Sequence, residues 1–540
     1  TSVWNFKPHN FSNVTSISPL STSDDRSNEE NNRNKNLFSL AALLLSTYTL
    51  TSHTTQSESA QTNTTEEEKE PWEGIFYTKA EVRKHRTKET GIWITYHGLV
   101  YDITKFVDLH PGGSSKLMLV AGGALEPFWA FYTFHNRSEI SRMIDKYCIG
   151  EVDPDEEPEM LSDDDPFAHE PDRHPALKVN SWQPFNAETP SELLADKFVT
   201  PSDLLYVRNH LPVPVIDEND YRLEISGDGM YSVRLSMKDL KKMKKHNVVV
   251  TLQCAGNRRN DMKKVREVKG LDWEQGAIGT AKWTGVRLID VLQQIGFDLS
   301  NHAEIRHLHF EGLDKDFSHN YGGSIPIEKA MDRHGDVLLA YEMNDEPIPR
   351  DHGFPLRLIV PGYVGARNCK WLAKLHFSFD ESDNHHQQKD YKTFSSSTAW
   401  EDVDWTKGRA IQELPVTSVI CSPPEGTTYS KGTKEIQVRG YAYSGGGRGI
   451  NRVDVSIDEG KTWHSAKLKR DPEAAYNREW AWTLWSCPLP IPEGSTGPLT
   501  IMVKAVDTSY NTQPDSIEHI WNIRGLLANS WHKVGVKIEQ

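Results

Sequence analysis

A chain of 540 residues is long enough for three or four domains of ordinary size, and a net charge of −15 with no domain-wide basic face argues against a nucleic-acid binder. Five cysteines (Cys148, Cys254, Cys369, Cys421 and Cys487) are scattered and never form a C-x-x-C pair, which excludes a disulfide framework or a zinc ribbon. The longest apolar run, Leu37 to Leu50, is broken by Ser and Thr and falls short of the roughly 18 residues that span a bilayer, so no transmembrane anchor is expected.

Residues 1–70 are rich in Ser, Thr, Asn and Glu and lack sustained periodicity, which predicts a disordered or targeting segment. The apolar run fits the sorting part of a presequence. Asp24, Asp25, Glu29 and Glu30 go against a simple mitochondrial signal, which is poor in acids.

Residues 71–150 carry a signature of their own. Tyr77 to His85 reads as a short helix, and GIWITYHGLVYDIT as two strands joined at His97-Gly98. In FVDLHPGG a histidine, His110, sits in a turn fixed by Pro111 and opened by two glycines, and His135 follows an aromatic stretch. Two histidines lined by Phe106, Leu117, Leu119, Phe128 and Phe131 would clamp a planar group from both sides. YDIT, FVDLHPGG and the second histidine together resemble the cytochrome b5 haem domain. That resemblance implies an α+β fold and haem b held by His110 and His135, with one-electron transfer as its work.

Residues 151–173 form an acidic stretch: 151–172 hold eleven Asp and Glu, no Lys or Arg, and prolines at 154, 158, 166 and 171. Such a segment repels itself and buries no core, so an extended, mobile tether is expected, either a plain spacer or one that keeps two redox units at high effective concentration.

From residue 174 to about 405 the pattern becomes mixed α/β, with short apolar strands between Pro- and Gly-rich loops that should converge on one pocket. Its centre is VVVTLQCAGNRR, Val248 to Arg259: a buried strand that ends in Cys254, with Arg258 and Arg259 supplying a field that favours thiolate. Alone, this window also fits a half-buried cysteine beside two surface arginines. With VKGLDW, LLYVRNHLPVP, HFEGLD, YGGSIP, the stretch from Leu338 to Leu372 and DYKTF, it resembles the molybdenum-cofactor domain of the sulfite oxidase family.

The resemblance implies that Cys254 ligates molybdenum. It implies further that Tyr206, Val207, Arg208, Asn209, His210, Asp314, His352, Arg357, Asn368, Cys369 and Lys370 hold the anionic pterin. Arg208, Arg259 and Tyr391 would face the open side of the metal, with Asp390 tuning Tyr391. Lys269 and Trp273 also match the family's substrate segment.

From about residue 406 to 540, short alternating strands with regular turn signals (EIQVRGYAYS, INRVDVSIDEGKTW, EWAWTLWSC, LTIMVKAVD) read as an immunoglobulin-like β-sandwich. In the family this domain pairs two subunits as a homodimer, and IWNIRG supplies a further active-site arginine, here Arg524.

The expected function is therefore that of a molybdenum-haem oxidoreductase. It would take sulfite to sulfate and pass electrons through the haem to cytochrome c, in the mitochondrial intermembrane space. The alternatives are a nitrate reductase-like enzyme, which would carry the b5 module after the molybdenum domain and add a flavin domain, and a silent chain that carries electrons or binds without a metal.

Overall fold

The computed structural model describes residues 72–110, 113–131, 135, 138–154, 166–300, 302–315 and 319–540. The targeting segment, the middle of the acidic tether, Pro111 and Gly112 lie outside the described residues. No helix among the described residues is long and apolar enough to cross a membrane.

The amino-terminal sheet runs in the order Phe76–Tyr77, Cys148–Val152, Leu99–Asp102, Gly91–Tyr96, Arg86–Thr87, with Gly123–Ala124 also pairing Gly91–Tyr96. The hairpin closes where expected: Tyr96 pairs with Leu99, and His97 (φ 48) and Gly98 (φ 80) take the two positive-φ positions of a tight two-residue turn. The helix expected over Tyr77 to His85 is only Lys79–Val82. Thr78 caps it, its Oγ1 accepting from the Glu81 N–H at 3.1 Å, while Tyr77 is drawn into the sheet beside Val152. Ile92, Ile94, Tyr101 and Val107 are buried in one apolar cluster that also takes in Ala176, Leu193 and Leu204.

The middle region holds two larger sheets. One runs Val233–Ser236, Arg222–Gly227, Leu372–Ser378, His307–Lys315, Asn320–Pro326 and contains one parallel pair, Arg222–Gly227 with Leu372–Ser378. The other runs His246–Gln253, Ile278–Arg287, Leu338–Met343, Glu346–Pro347, with Arg357–Ile359 also on Leu338–Met343. A small third sheet joins Lys178–Ser181, Asn186–Glu188 and Val207–Arg208. The β-branched run of His246–Gln253 buries Val250 and Leu252 completely, roughly 1.5–3 kcal/mol of transfer free energy for each side chain. This holds the residue that follows, Cys254, on a stiff support.

The carboxy-terminal region is a sandwich of two sheets: Thr417–Ser422, Glu435–Tyr443, Thr483–Pro490, Lys467–Lys469 in one, and Thr427–Tyr429, His532–Ile538, Gly497–Asp507, Ile450–Ser456, His464–Ser465 in the other. Val438, Val453, Val455, Trp485, Ile501 and Val503 fill the space between them. The strand expected over EWAWTLWSC begins only at Thr483. Trp480 and Trp482 serve the middle region instead: the Trp480 carbonyl accepts from Thr251 N–H at 3.0 Å, and Trp482 N–H donates to Thr251 Oγ1 at 2.7 Å.

Candidate functional site

Cys254 stands one residue beyond the end of its strand, where Gln253 still pairs with Ile278. Its N–H donates to Ala277 O at 2.9 Å and its carbonyl accepts from Asn257 N–H at 3.0 Å, so the turn is pinned on both sides. The Gly256 N–H points at Cys254 Sγ at 3.4 Å.

The two arginines after it part company. Arg258 adopts φ 64 and turns away from the thiol, donating to Asp261 Oδ2 at 2.9 Å and Ser530 O at 2.7 Å. It locks the carboxy-terminal segment to the site and does not join the field around Cys254. Arg259 folds back beside the thiol and donates to Arg524 O at 3.1 Å and Leu271 O at 2.9 Å. A Cβ on Gly270 or on Gly525 would come within 2.7 Å of the Arg259 side chain, so its slot is cut by missing side chains.

Cys254 opens on a cleft whose walls include Tyr206, Arg208, His210, Asp314, His352, Arg357, Asn368, Lys370 and Tyr391. Of the three expected substrate arginines Arg208 is on that wall; Arg259 and Arg524 are not among its wall residues but lie near enough to bear on Arg208 and on each other. Burial first, then Arg259 and Arg208, push Arg524 down to about 10, so it stays charged at neutral pH. Arg524 is gripped by Asp390, whose carboxylate and backbone carbonyl both accept from it. Asp390 thus orients an arginine, and Tyr391 is instead set by His210, whose Nε2 lies 2.8 Å from the hydroxyl. Burial and Arg208 hold His210 well below the ordinary imidazole range, so it is neutral and accepts the phenol O–H. Burial also raises Tyr391, which keeps its proton.

Farther along the cleft, Arg357 donates to His352 O at 3.0 Å, and His352 reaches Ser202 O at 2.8 Å. Burial lowers Lys370 and raises Asp314. The Lys370 ammonium donates to Asp351 O at 2.9 Å and to the Asn209 side chain. Asp351 is clamped by Arg173, which closes a buried network reaching back to the end of the acidic stretch.

Val207, Asn209 and Cys369 stand behind the wall. Val207 packs in a small cluster with Phe185, Asn209 holds Asp351 and Lys370, and Cys369 is buried with its thiol raised by burial. Trp273 is buried behind Arg259, and Lys269 lies 4.5 Å above the Trp400 ring. Sequence reasoning missed Leu205, Leu252, Tyr321 and Ala366 as wall residues. It also missed the Arg173–Asp351 pair, which joins positions 178 residues apart.

A molybdenum-pterin group fits this cleft by its donor set. One thiol supported by an N–H suits a soft metal, and Arg208, Arg357 and Lys370 suit an anionic tail. Asp314 Oδ1 is buried on the wall without a hydrogen-bond partner, as an acceptor awaiting a ligand N–H would be.

In the amino-terminal unit the imidazoles of His110 and His135 face each other with centroids 6.2 Å apart and planes 21° apart. Two metal–nitrogen bonds of about 2.0 Å plus the ring radii need roughly this gap. His110 Nδ1 is 3.1 Å from Gly113 O, which can only accept, so that nitrogen carries the proton and Nε2 is the ring's ligand atom. Phe128 is buried, and Phe106, Leu117 and Leu119 are half-buried in the same cluster. The Phe131 side chain lies outside the described residues.

Three family models match the chain: a cytochrome b5-like heme/steroid binding domain over residues 78–153, an oxidoreductase molybdopterin binding domain over 210–386 and a Mo-co oxidoreductase dimerisation domain over 408–539. The chain is 52% identical over 466 residues to mitochondrial sulfite oxidase of Homo sapiens, covering 86% of this chain and 84% of that one. It is 50% identical to sulfite oxidase of Gallus gallus, covering 85% and 99%. Nitrate reductase [NAD(P)H] of Hordeum vulgare is 37% identical, and the match covers 68% of this chain and 42% of that one. Among solved structures, the sulfane dehydrogenase SoxCD of Paracoccus pantotrophus aligns with a TM-score of 0.55 at 25% identity, covering 70% of this chain and 93% of that one.

Proposed function

The chain belongs to the sulfite oxidase family, and on that premise we propose that it oxidises sulfite to sulfate as a homodimeric, mitochondrial molybdenum-haem oxidoreductase. Its place would be the intermembrane space, with cytochrome c as the electron acceptor. The observation that carries the reading is that Cys254, Arg208 and Tyr391 share one cleft wall, with Arg259 hydrogen-bonded to Arg524 and Arg524 to Asp390, the neighbour of Tyr391.

A molybdenum-pterin group supplies two-electron oxygen-atom transfer when bound, and a haem supplies one-electron steps. Cys254 would hold the molybdenum through sulfur, with Asp314, His352, Arg357, Asn368 and Lys370 around the pterin and its phosphate. His110 and His135 would hold the haem iron.

The chain's own residues then do three things. Three guanidiniums in a half-buried cleft attract a doubly negative oxyanion and hold it by charge-assisted hydrogen bonds, which are stronger there than in water. Their anchors fix where the anion sits: Asp390 for Arg524 and the Leu271 and Arg524 carbonyls for Arg259. Tyr391, kept protonated, offers one O–H to the anion or to the oxygen being transferred.

The test is metal content together with sulfite-dependent reduction of the haem spectrum in one stopped-flow experiment. About one molybdenum per chain and haem reduction by sulfite are expected. A haem that stays oxidised in molybdenum-replete protein, with no turnover to a small artificial acceptor, would overturn the reading. The nitrate reductase-like alternative has less behind it, since the b5-like match precedes the molybdopterin-binding one and the Hordeum vulgare relative is covered for less than half its length.

A further inference from the structure

Joining sulfite and water into sulfate releases two electrons and two protons. The electrons have the cofactors to leave by; the protons need their own way out of a mostly buried cleft. One row of side chains leads from the reacting side toward the surface. Nε2 of His210, 2.8 Å from the Tyr391 hydroxyl, is 3.9 Å from Asp390 Oδ2. The same carboxylate oxygen is 3.1 Å from Nδ1 of His386.

Arg524 grips the other oxygen of Asp390, so Oδ2 is directed at the two imidazoles. The His386 ring packs 4.7 Å from the His210 ring and 4.7 Å from the Tyr321 ring, and its side chain is 20% exposed, the most open of the row. A single π-helical turn, His386–Asp390, places His386 and Asp390 on one side.

We infer that His386, linked to Tyr391 through Asp390 and His210, is the outer member of a proton relay that clears the site during turnover; this rests on the sulfite-oxidising reading above. A proton taken up by the Tyr391 oxygen sends the hydroxyl proton to Nε2 of His210. The protonated ring then turns its Nε2–H from Tyr391 to Oδ2 of Asp390, which at 3.9 Å is beyond hydrogen-bond reach at rest, and the proton goes on to Nδ1 of His386, whose Nε2 proton goes to bulk water. Only these O–H and N–H bonds are made and broken, and no electron moves.

His210 suits the inner place because burial and Arg208 keep it neutral, so it accepts a proton and does not retain it. Among the described residues, the groups bearing on His386 include Asp390 and His385 from its own segment, His210 from the bend after Val207–Arg208, Tyr321 and Asp314 from nearby strands, and Arg524 through Asp390. The ligand atoms of His210, His386 and Asp390 lie within 4.8 Å of one another, a spacing that also suits a divalent cation. Arg524 on Asp390, with Arg208 and Lys370 bearing on His210, opposes a further cation there. His386 is therefore a positioning and relay residue, since it meets the reacting atoms only through its neighbours.

The test compares holoenzyme with His386→Gln and His386→Phe, using sulfite and a small one-electron acceptor. The expected result is a kcat about tenfold lower with KM within about twofold, a larger solvent deuterium isotope effect, and recovery of kcat with millimolar imidazole. A second readout needs no turnover: carbethoxylation of His386, followed by mass spectrometry against pH, should show its midpoint falling by roughly half a unit in Asp390→Asn. Unchanged kcat and isotope effect in both variants would overturn the relay. So would a loss of kcat without isotope effect or rescue, or a midpoint that Asp390→Asn does not move. Wild-type protein that fails to oxidise sulfite would refute the functional reading instead, while the labelling still reports the His386–Asp390 contact.

Discussion

At the scale of single residues the molecule buries ionisable groups at cost and uses the cost. His532 is buried, its Nδ1 accepting from Ile420 N–H at 3.2 Å, and burial with Arg258 pushes it down to about 3. In the unfolded chain the same imidazole binds a proton near 6.5. Its folded value is depressed, so the stability tied to its neutral form is complete above about pH 6.5 and falls as pH drops toward 3. Between pH 6.5 and 5 the loss is about 1.6 kcal/mol. His532→Asn keeps an acceptor there without the titration. Urea unfolding of the variant is predicted to show about 2 kcal/mol less loss between pH 7.5 and 5 than wild type; parallel losses would mean that His532 is not the group responsible.

At the scale of elements, the site is where a strand end, a π-helical turn and a loop of the carboxy-terminal region meet, and the meeting depends on absent side chains. Gly525 has φ +59, and a Cβ there would lie 2.7 Å from Arg259 Cγ and 2.8 Å from Val268 Cγ2. Gly525→Ala therefore meets a backbone penalty of about 1–2 kcal/mol and displaces the arginine that should hold the anion. KM for sulfite is predicted to rise about tenfold, the weight of one charge-assisted hydrogen bond, with kcat changed less; an unmoved KM would show that Arg259 does not bind substrate. The strand and its terminal cysteine were legible because β-branched residues end abruptly at Gln253-Cys254. His110 was picked out by its setting, FVDLHPGG, and the structure faces it to His135. What stayed hidden joins distant positions: Arg258 turned to Ser530, Asp390 given to Arg524, and the aromatic run at Trp480 and Trp482 spent on Thr251. No local periodicity encodes which partner a side chain finds across a hundred residues or more.

At the scale of the whole molecule, two redox sites are carried on one chain and joined by an acidic stretch whose last residues are anchored. Glu170 accepts from Val213 N–H at 2.9 Å, and Arg173 clamps Asp351 beside the cleft. The two sites should therefore separate functionally when one is removed. His110 supplies an iron ligand in the reading proposed here and takes no part in the wall of the cleft around Cys254. His110→Ala is predicted to lose haem and at least about 100-fold of cytochrome c reduction, the scale on which loss of an essential group shows, while sulfite turnover with a small artificial acceptor stays within about twofold. The measurement is the ratio of the two rates at matched molybdenum content. If both rates fall together, the haem does more than pass electrons outward, because its unit then supports the geometry of the cleft through the shared apolar cluster at Ala176, Leu193 and Leu204. If only the cytochrome c rate falls, the oxidation is complete at the cleft, and the amino-terminal unit sets the acceptor without setting the chemistry.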